Sequence, residues 1–199
     1  MKVLLLSTPL NDAWVNVDPA ANTGYPMGLP YLHAALEAHG HTVLTLPLNH
    51  VALVVADREI ASALATFQPD VVGFNILSDS RVAAFAWIRR ILAEYPQMQV
   101  LVGGVHATTM RRQIVEHFRG VIVVIGEGEV TTVALLAALA EAAPLHTVAG
   151  IAFHDGTRYV ETAGRPLIDD LDQIPFPNHK LFFTPSPFQG AGRTCAYML

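Results

Sequence analysis

The sequence predicts a doubly wound α/β domain with a five-stranded parallel sheet, followed by a β-hairpin and a connector. Short runs that are apolar throughout recur five times, and a helical pattern ending near glycine or proline follows each of them. Such runs are typical of strands buried on both faces, and regular alternation of strand and helix implies right-handed crossovers between parallel strands. The commonest order for five such units is 2-1-3-4-5, a Rossmann-like arrangement.

The individual elements follow from local patterns. Leu29, Leu32 and Leu36 recur at helical spacing, and Gly40 then ends the pattern, as glycine commonly does after a helix. The predicted strands, rich in leucine and β-branched residues, are Val3–Ser7, Thr42–Leu46, Val71–Leu77, Val100–Val102 and Val121–Ile125. The predicted helices are Gly28–His39, Arg58–Phe67, Ser80–Tyr95, Thr108–Phe118 and about Glu129 to Ala142.

The character of the sequence changes after Pro144. Asp155-Gly156 separates two alternating runs, Val148–His154 and Arg158–Thr162, and this pattern predicts a β-hairpin. Prolines and phenylalanines then dominate without periodicity. We therefore expect residues 1–145 to form the Rossmann-like domain and residues 146–199 to form a hairpin and a linker.

Composition excludes several classes of protein. Of the 199 residues, 52% are hydrophobic and 15% are charged, so the chain has enough apolar surface to form a packed core. Twelve Lys and Arg residues against seventeen Asp and Glu residues give a net charge of −5. A basic nucleic-acid footprint is therefore not expected.

The single cysteine, Cys195, cannot form an internal disulfide or, alone, an iron–sulfur site. A cytoplasmic location is therefore expected. The apolar N-terminus lacks a small-residue cleavage site, so no signal peptide is expected. The most apolar stretch, residues 130–153, contains Glu141 and Pro144, and no membrane span is expected.

Ligands of open parallel sheets bind at the carboxyl ends of the strands, so the segments directly after each strand are the candidate site. Glycine lets the backbone approach a ligand without an intervening Cβ. Glycine pairs or near-pairs follow strands four and five, and a loop of some twenty residues follows strand one, which favours a functional segment. The first turn carries no Gly-x-Gly-x-x-Gly, and neither a Walker sequence nor a response-regulator acidic cluster is present. The segments at this edge of the sheet suit a broad, flat, mostly apolar ligand.

Five motifs in order resemble the N-terminal half of cobalamin-dependent radical S-adenosylmethionine enzymes. The resemblance covers essentially the whole chain. The motifs are Pro26-Met27-Gly28-Leu29-Pro30-Tyr31-Leu32, Pro69-Asp70-Val71-Val72-Gly73, Gly103-Gly104-Val105-His106-Ala107-Thr108, Gly126-Glu127-Gly128-Glu129, and the run from Pro166 to Pro177.

The resemblance implies a cobalamin-binding module that precedes a radical barrel in a methyltransferase or an oxygen-independent magnesium-protoporphyrin ester cyclase. In the full-length protein the barrel would add a [4Fe-4S] cluster, S-adenosylmethionine and a small-molecule substrate. The Cys-x-x-x-Cys-x-x-Cys motif of that cluster is missing, so we expect the chain to stop before the barrel and to carry no catalytic residue itself. Asp-x-His-x-x-Gly is also missing, which implies a base-off corrinoid without a histidine on cobalt.

By this resemblance the cofactor-binding residues belong to the segments after strands one, three, four and five, with Gly28 at the end of the long first loop. No protein metal ligand is expected among them. They are Thr8, Pro9, Leu10, Asn11, Gly28, Leu77, Ser78, Asp79, Ser80, Gly103, Gly104, Val105, His106, Ala107, Gly126, Glu127, Gly128 and Glu129.

Other interpretations remain open at this stage. Gly103-Gly104 could form only a tight turn, Ser78 and Ser80 could be helix caps, and Glu127 and Glu129 could serve the helix dipole rather than a nucleotide tail. The rival function is a non-catalytic cobalamin sensor, or a family domain that has lost its ligand.

Overall fold

In the computed structural model, residues 1–10, 27–49 and 51–177 are described. They form one seven-stranded sheet with the order β2-β1-β3-β4-β5-β6-β7. The strands are β1 (Lys2–Ser7), β2 (Thr42–Pro47), β3 (Val71–Asn75), β4 (Gln99–Gly103), β5 (Val121–Val124), β6 (Ile151–His154) and β7 (Tyr159–Glu161). The helices are α1 (Gly28–Ala38), α2 (Leu53–Phe67), α3 (Arg81–Glu94), α4 (Val105–His117) and α5 (Glu129–Ala140), with short 3-10 turns at Leu145–Thr147 and Leu171–Gln173.

The predicted parallel order 2-1-3-4-5 is confirmed. β1 pairs in parallel with both β2 and β3, and β3, β4 and β5 continue the parallel ladder. The hairpin was predicted, but its position was not. β6 pairs antiparallel with β5 and β7 with β6, so the hairpin extends the main sheet. The division of the chain at residue 145 stays a prediction.

Two helix starts differ from the sequence expectation. α2 begins at Leu53 and α4 at Val105, both earlier than predicted. Val54 and Val105 are 75% and 73% exposed. Apolar residues that face solvent break the amphipathic periodicity, so the pattern could not place these first turns.

The two faces of the sheet carry separate cores. Alternate strand residues such as Leu4 and Leu6 pack beneath α2, α3 and α4, and the intervening residues, such as Leu5, pack beneath α1 and α5. Because successive strand side chains point to opposite faces, the five central strands bury both sides. The strand residues are consequently rigid platforms for the segments that follow them.

An ion pair fastens the hairpin to α4. Arg111 binds Glu161 through two hydrogen bonds of 3.0 Å, and the hydroxyl of Tyr159 also donates to Glu161. The hydrogen bond from Arg111 lowers the pKa of Glu161, while burial and the neighbouring carboxylate raise the pKa of Tyr159 to about 12.

Among the described residues, none of the helices has both the length and the apolar composition of a membrane span.

Candidate functional site

A cavity of about 200 Å³ opens at the carboxyl ends of the central strands. It lies beside α1 and the beginning of α5. Strand and helix side chains form its apolar wall, and backbone from three glycine-containing segments forms its mouth. The lining residues are Leu5, Gly28, Leu29, Leu32, Gly73, Phe74, Asn75, Leu101, Val102, Gly103, Gly104, Val124, Gly126, Glu127, Gly128, Glu129 and Thr132.

Seven of the sequence-predicted site residues line this cavity together. They are Gly28, Gly103, Gly104, Gly126, Glu127, Gly128 and Glu129. The loops after β4 and β5 and the start of α1 therefore meet at one place. Their roles toward a ligand remain predictions.

Several of these glycines leave open space at the cavity mouth. A Cβ added at Gly126 would have no heavy atom within 4 Å, and one at Gly103 would meet only the Val124 carbonyl oxygen at 4.0 Å. A Cβ at Gly128 would make ordinary contacts with Thr132 and Val124, at 3.8 and 3.9 Å. Packing therefore leaves room for a side chain at all three, although the φ of +73° at Gly126 lies in the left-handed region that favours glycine.

At Gly104, both the backbone conformation and the packing require glycine. Its φ of +92° lies in the left-handed region, and an added Cβ would overlap the side-chain oxygen of Asn75 and lie 2.9 Å from the carbonyl oxygen of Ile76. His106 donates its backbone N–H to that same carbonyl. The residue turns the chain from β4 into α4 and lets α4 approach the end of β3. The tight-turn interpretation therefore applies to Gly104, although the residue also lines the cavity.

The predicted residues after β3 lie apart from this cavity. Leu77, Ser78 and Asp79 are exposed. Ser78 Oγ is 3.1 Å from His106 Nδ1, and His106 lines a separate groove of about 440 Å³ between α3 and α4, together with Arg81. The sequence-predicted residues thus lie on two surfaces, the cavity and this groove.

Other predicted residues have internal roles. Thr8 Oγ1 donates to the Ser80 carbonyl at 3.0 Å, and Ser80 Oγ accepts the Leu77 N–H at 3.1 Å, so both buried residues hold the turn after β3. Ala107 is completely buried in the core. Pro9 is buried and Leu10 is partly buried. Asn11 lies outside the described residues.

Exposed apolar side chains stand at the same edge of the sheet as the cavity, although they do not line it. Val82, Val105 and Val130 stand in the first turns of α3, α4 and α5 and are 63%, 73% and 45% exposed. Leu77, after β3, is 38% exposed. Because all four follow the carboxyl ends of strands, they form an apolar rim at that edge of the sheet.

Sequence reasoning missed the side chains that form the cavity wall. Leu5 and Leu101 lie inside strands, and Leu29 and Leu32 lie on α1, where the apolar pattern indicated only core. Gly73 was one indication in the sequence, since a glycine within a strand often marks a place where a ligand or another part of the backbone comes close. A Cβ at Gly73 would lie 3.0 Å from Leu5 Cδ2.

His106 provides a prediction about pH. Burial and then the charge of Arg81 lower the pKa of His106 below its usual 6.5, and burial followed by the N-terminal charge lowers the pKa of His41. The unfolded chain therefore binds more protons at these two imidazoles than the folded chain as pH falls through 6.5. We expect their contribution to make the protein less stable at pH 5.5 than at pH 7.5.

The measurement is a histidine NMR titration combined with thermal unfolding at both pH values. His106→Gln assigns the His106 resonance. A titration midpoint above 6.5 for His106 would contradict the predicted environment.

The fold and cavity together define a ligand-binding domain of the doubly wound α/β class. A family model described as the B12 binding domain matches residues 13–136, which is more than half of the chain. The chain therefore belongs to the B12-binding domain family.

Two longer proteins are similar in sequence to most of this chain. The chain is 28% identical over 182 residues to an uncharacterized methyltransferase of Pyrococcus horikoshii, covering 91% of this chain and 39% of the relative. It is 32% identical over 153 residues to an anaerobic magnesium-protoporphyrin IX monomethyl ester cyclase of Cereibacter sphaeroides, covering 75% and 25% respectively. The chain thus spans well under half of either relative.

The cobalamin-dependent S-adenosylmethionine radical enzyme OxsB, solved with aqua-cobalamin bound, superimposes with a TM-score of 0.74. The match covers 91% of this chain and 24% of the OxsB chain at 18% identity. This likeness confirms the Rossmann-like fold expected from the sequence.

Proposed function

We propose that this chain binds cobalamin in the base-off form, as the cofactor module of a cobalamin-dependent radical S-adenosylmethionine enzyme. The observation that carries the proposal is the apolar cavity beside an exposed apolar rim at the carboxyl edge of the sheet. Cobalamin has a broad corrin ring and a nucleotide tail that ends in an aromatic base. A domain for it needs a flat surface and, in the base-off form, a separate place for that base.

The cavity is suited to the base. An engineered cavity of about 150 Å³ accepts benzene, and the cavity here has about 200 Å³. Its wall is built mainly from leucine, valine and phenylalanine side chains, with glycines at the mouth where a connecting chain must pass. An aromatic base released from cobalt would leave water for an apolar environment there, which is favourable.

The rim is suited to the corrin ring. Val82, Val105 and Leu77 present apolar surface, and Ser78 and Asp79 lie beside them with polar groups toward solvent. Amide groups around a corrin edge need hydrogen-bond partners, which these two side chains and His106 supply. This surface adjoins the cavity at Gly103 and Gly104, so one ligand can reach both.

The proposal of a cobalt without a histidine ligand rests on the sequence, in which no Asp-x-His-x-x-Gly occurs. His106, the histidine predicted in the site, has its Nδ1 3.1 Å from Ser78 Oγ. The corrin would therefore be held by its periphery and its tail.

The names of the relatives support the wider role. One is a methyltransferase and another is a cyclase, and both are much longer than this chain. We propose that a radical barrel of the same full-length protein completes the site and supplies the iron–sulfur cluster, S-adenosylmethionine and the small-molecule substrate. The bound corrinoid supplies a methyl group or takes part in ring closure, and this domain binds and orients it in a cytoplasmic protein.

The experiment that tests the base-off proposal is electron paramagnetic resonance of the protein loaded with cob(II)alamin. We expect a spectrum without nitrogen superhyperfine splitting. Splitting that persists in His106→Ala would show that the cofactor's own base or another histidine stays on cobalt, and splitting lost in that variant would identify His106 as the ligand. Either result would overturn the base-off, histidine-free arrangement.

A further inference from the structure

Glu127 contacts both the cavity and the connector, which is the segment of residues 163–177 after the hairpin. It lines the cavity, and its Oε2 accepts the backbone N–H of Ile168 at 2.8 Å. Ile168 belongs to the segment that leads away from the hairpin. The Glu127 carboxylate therefore links the cavity to the connector.

The connector has few other polar attachments. Gly150 donates to the Ala163 carbonyl, and Arg165 Nη2 donates to the Ala149 carbonyl at 3.3 Å. Beyond Arg165, the hydrogen bonds of residues 166–177 in the described part of the chain are local, except that to Glu127. Leu167 next to it is 72% exposed. The position of residues 166–170 consequently depends on Glu127.

We propose that Glu127 is a positioning residue that couples occupancy of the cavity to the position of the connector. This inference rests on the proposed function. Glu127 stands between Gly126, whose φ is +73°, and Gly128. Backbone between two glycines has many accessible conformations, and a ligand in contact with the 126–129 loop would restrict them. The restricted loop holds the carboxylate toward Ile168, so a filled cavity fixes the connector.

Coupling of this kind is reciprocal. If the ligand favours the attached connector, the attached connector favours the ligand by the same factor, typically about fivefold or more. Loss of the carboxylate should therefore weaken cobalamin binding moderately and detach residues 166–170. A residue that only contacts the ligand would change affinity and leave the connector unaffected.

Glu141 supplies a control. It is also a glutamate, but it is exposed at the end of α5 and is not among the residues that line the cavity. Glu127→Gln is a second control, because its amide oxygen can still accept the Ile168 N–H. Glu127→Ala removes the acceptor.

The test is hydrogen–deuterium exchange of peptides that span residues 165–170, with and without hydroxocobalamin, while absorption of the same desalted samples reports retained cofactor. In wild type and Glu141→Ala we expect hydroxocobalamin to slow exchange about fivefold or more. Glu127→Gln should keep this protection, and Glu127→Ala should exchange rapidly in both states.

Retained cobalamin without slower exchange in wild type would overturn the coupling and leave the proposed function standing. Equal protection in Glu127→Ala would also overturn the coupling. If wild type retains no cobalamin, the proposed function fails, and the inference fails with it.

Discussion

Gly104→Val is expected to destabilise the protein by about 3 kcal/mol or more, since left-handed backbone strain and overpacking each cost about 1–3 kcal/mol. The valine Cβ would overlap Asn75 and press on the backbone of Ile76 while φ stays near +92°. A β-branched residue resists that conformation strongly. Relief of the clash would require α4 to move away from the end of β3.

The measurement is chemical denaturation, with Gly103→Val as the control. Gly103 is the neighbouring glycine, yet its added Cβ would meet only one atom at 4.0 Å, and its position at the end of β4 tolerates a β-branched residue. We expect the control to stay within about 1 kcal/mol of wild type. Equal stability of the two variants would show that the packing around Gly104 is described wrongly.

Gly128→Leu is expected to weaken cobalamin binding by about thirtyfold or more, a change of about 2 kcal/mol. The new side chain would begin 3.8 Å from Thr132 and 3.9 Å from Val124, both in the cavity wall, and would extend into the cavity. The backbone at Gly128 has ordinary helical angles, with φ −91° and ψ −21°. Leucine should therefore fit the folded chain and exclude the ligand.

The control is Gly164→Leu, at an exposed glycine outside the cavity with no heavy atom within 4 Å of the added Cβ. Equilibrium dialysis against hydroxocobalamin measures affinity, and thermal unfolding checks that both variants fold. Unchanged affinity in folded Gly128→Leu would mean that no part of cobalamin enters the cavity.

The strand pattern was readable because each central strand is apolar on both faces. Runs such as Val121–Val124 have few structural alternatives when glycine or proline delimits them, so the five parallel strands followed from the pattern. Their order was predicted as the commonest one for five such units. The antiparallel pairing of β6 in the hairpin with β5 could not be predicted from the sequence pattern. Its pairing of Ile122 with Phe153 depends on an exposed sheet edge, which no local spacing reveals.

The candidate site was predictable at its mouth and not in its wall. Glycines after β4 and β5 indicated the mouth of the cavity. Glycine lets the backbone come close to a ligand, and ligands bind at the carboxyl ends of parallel strands. Leu5 and Leu101 look like ordinary core residues, and only the three-dimensional arrangement shows that space remains beside them. His106 is near Gly104 in sequence, but α4 directs it into the groove beside α3.

We expect this chain alone to bind cobalamin at the carboxyl edge of its sheet. The most direct measurement is the absorption spectrum of the protein after incubation with hydroxocobalamin and desalting, compared with Gly128→Leu treated identically. We predict corrinoid bands at about one cofactor per wild-type chain and greatly reduced bands in the variant. A wild-type protein that is folded and free of corrinoid after desalting would contradict the account, as would equal retention by the two proteins.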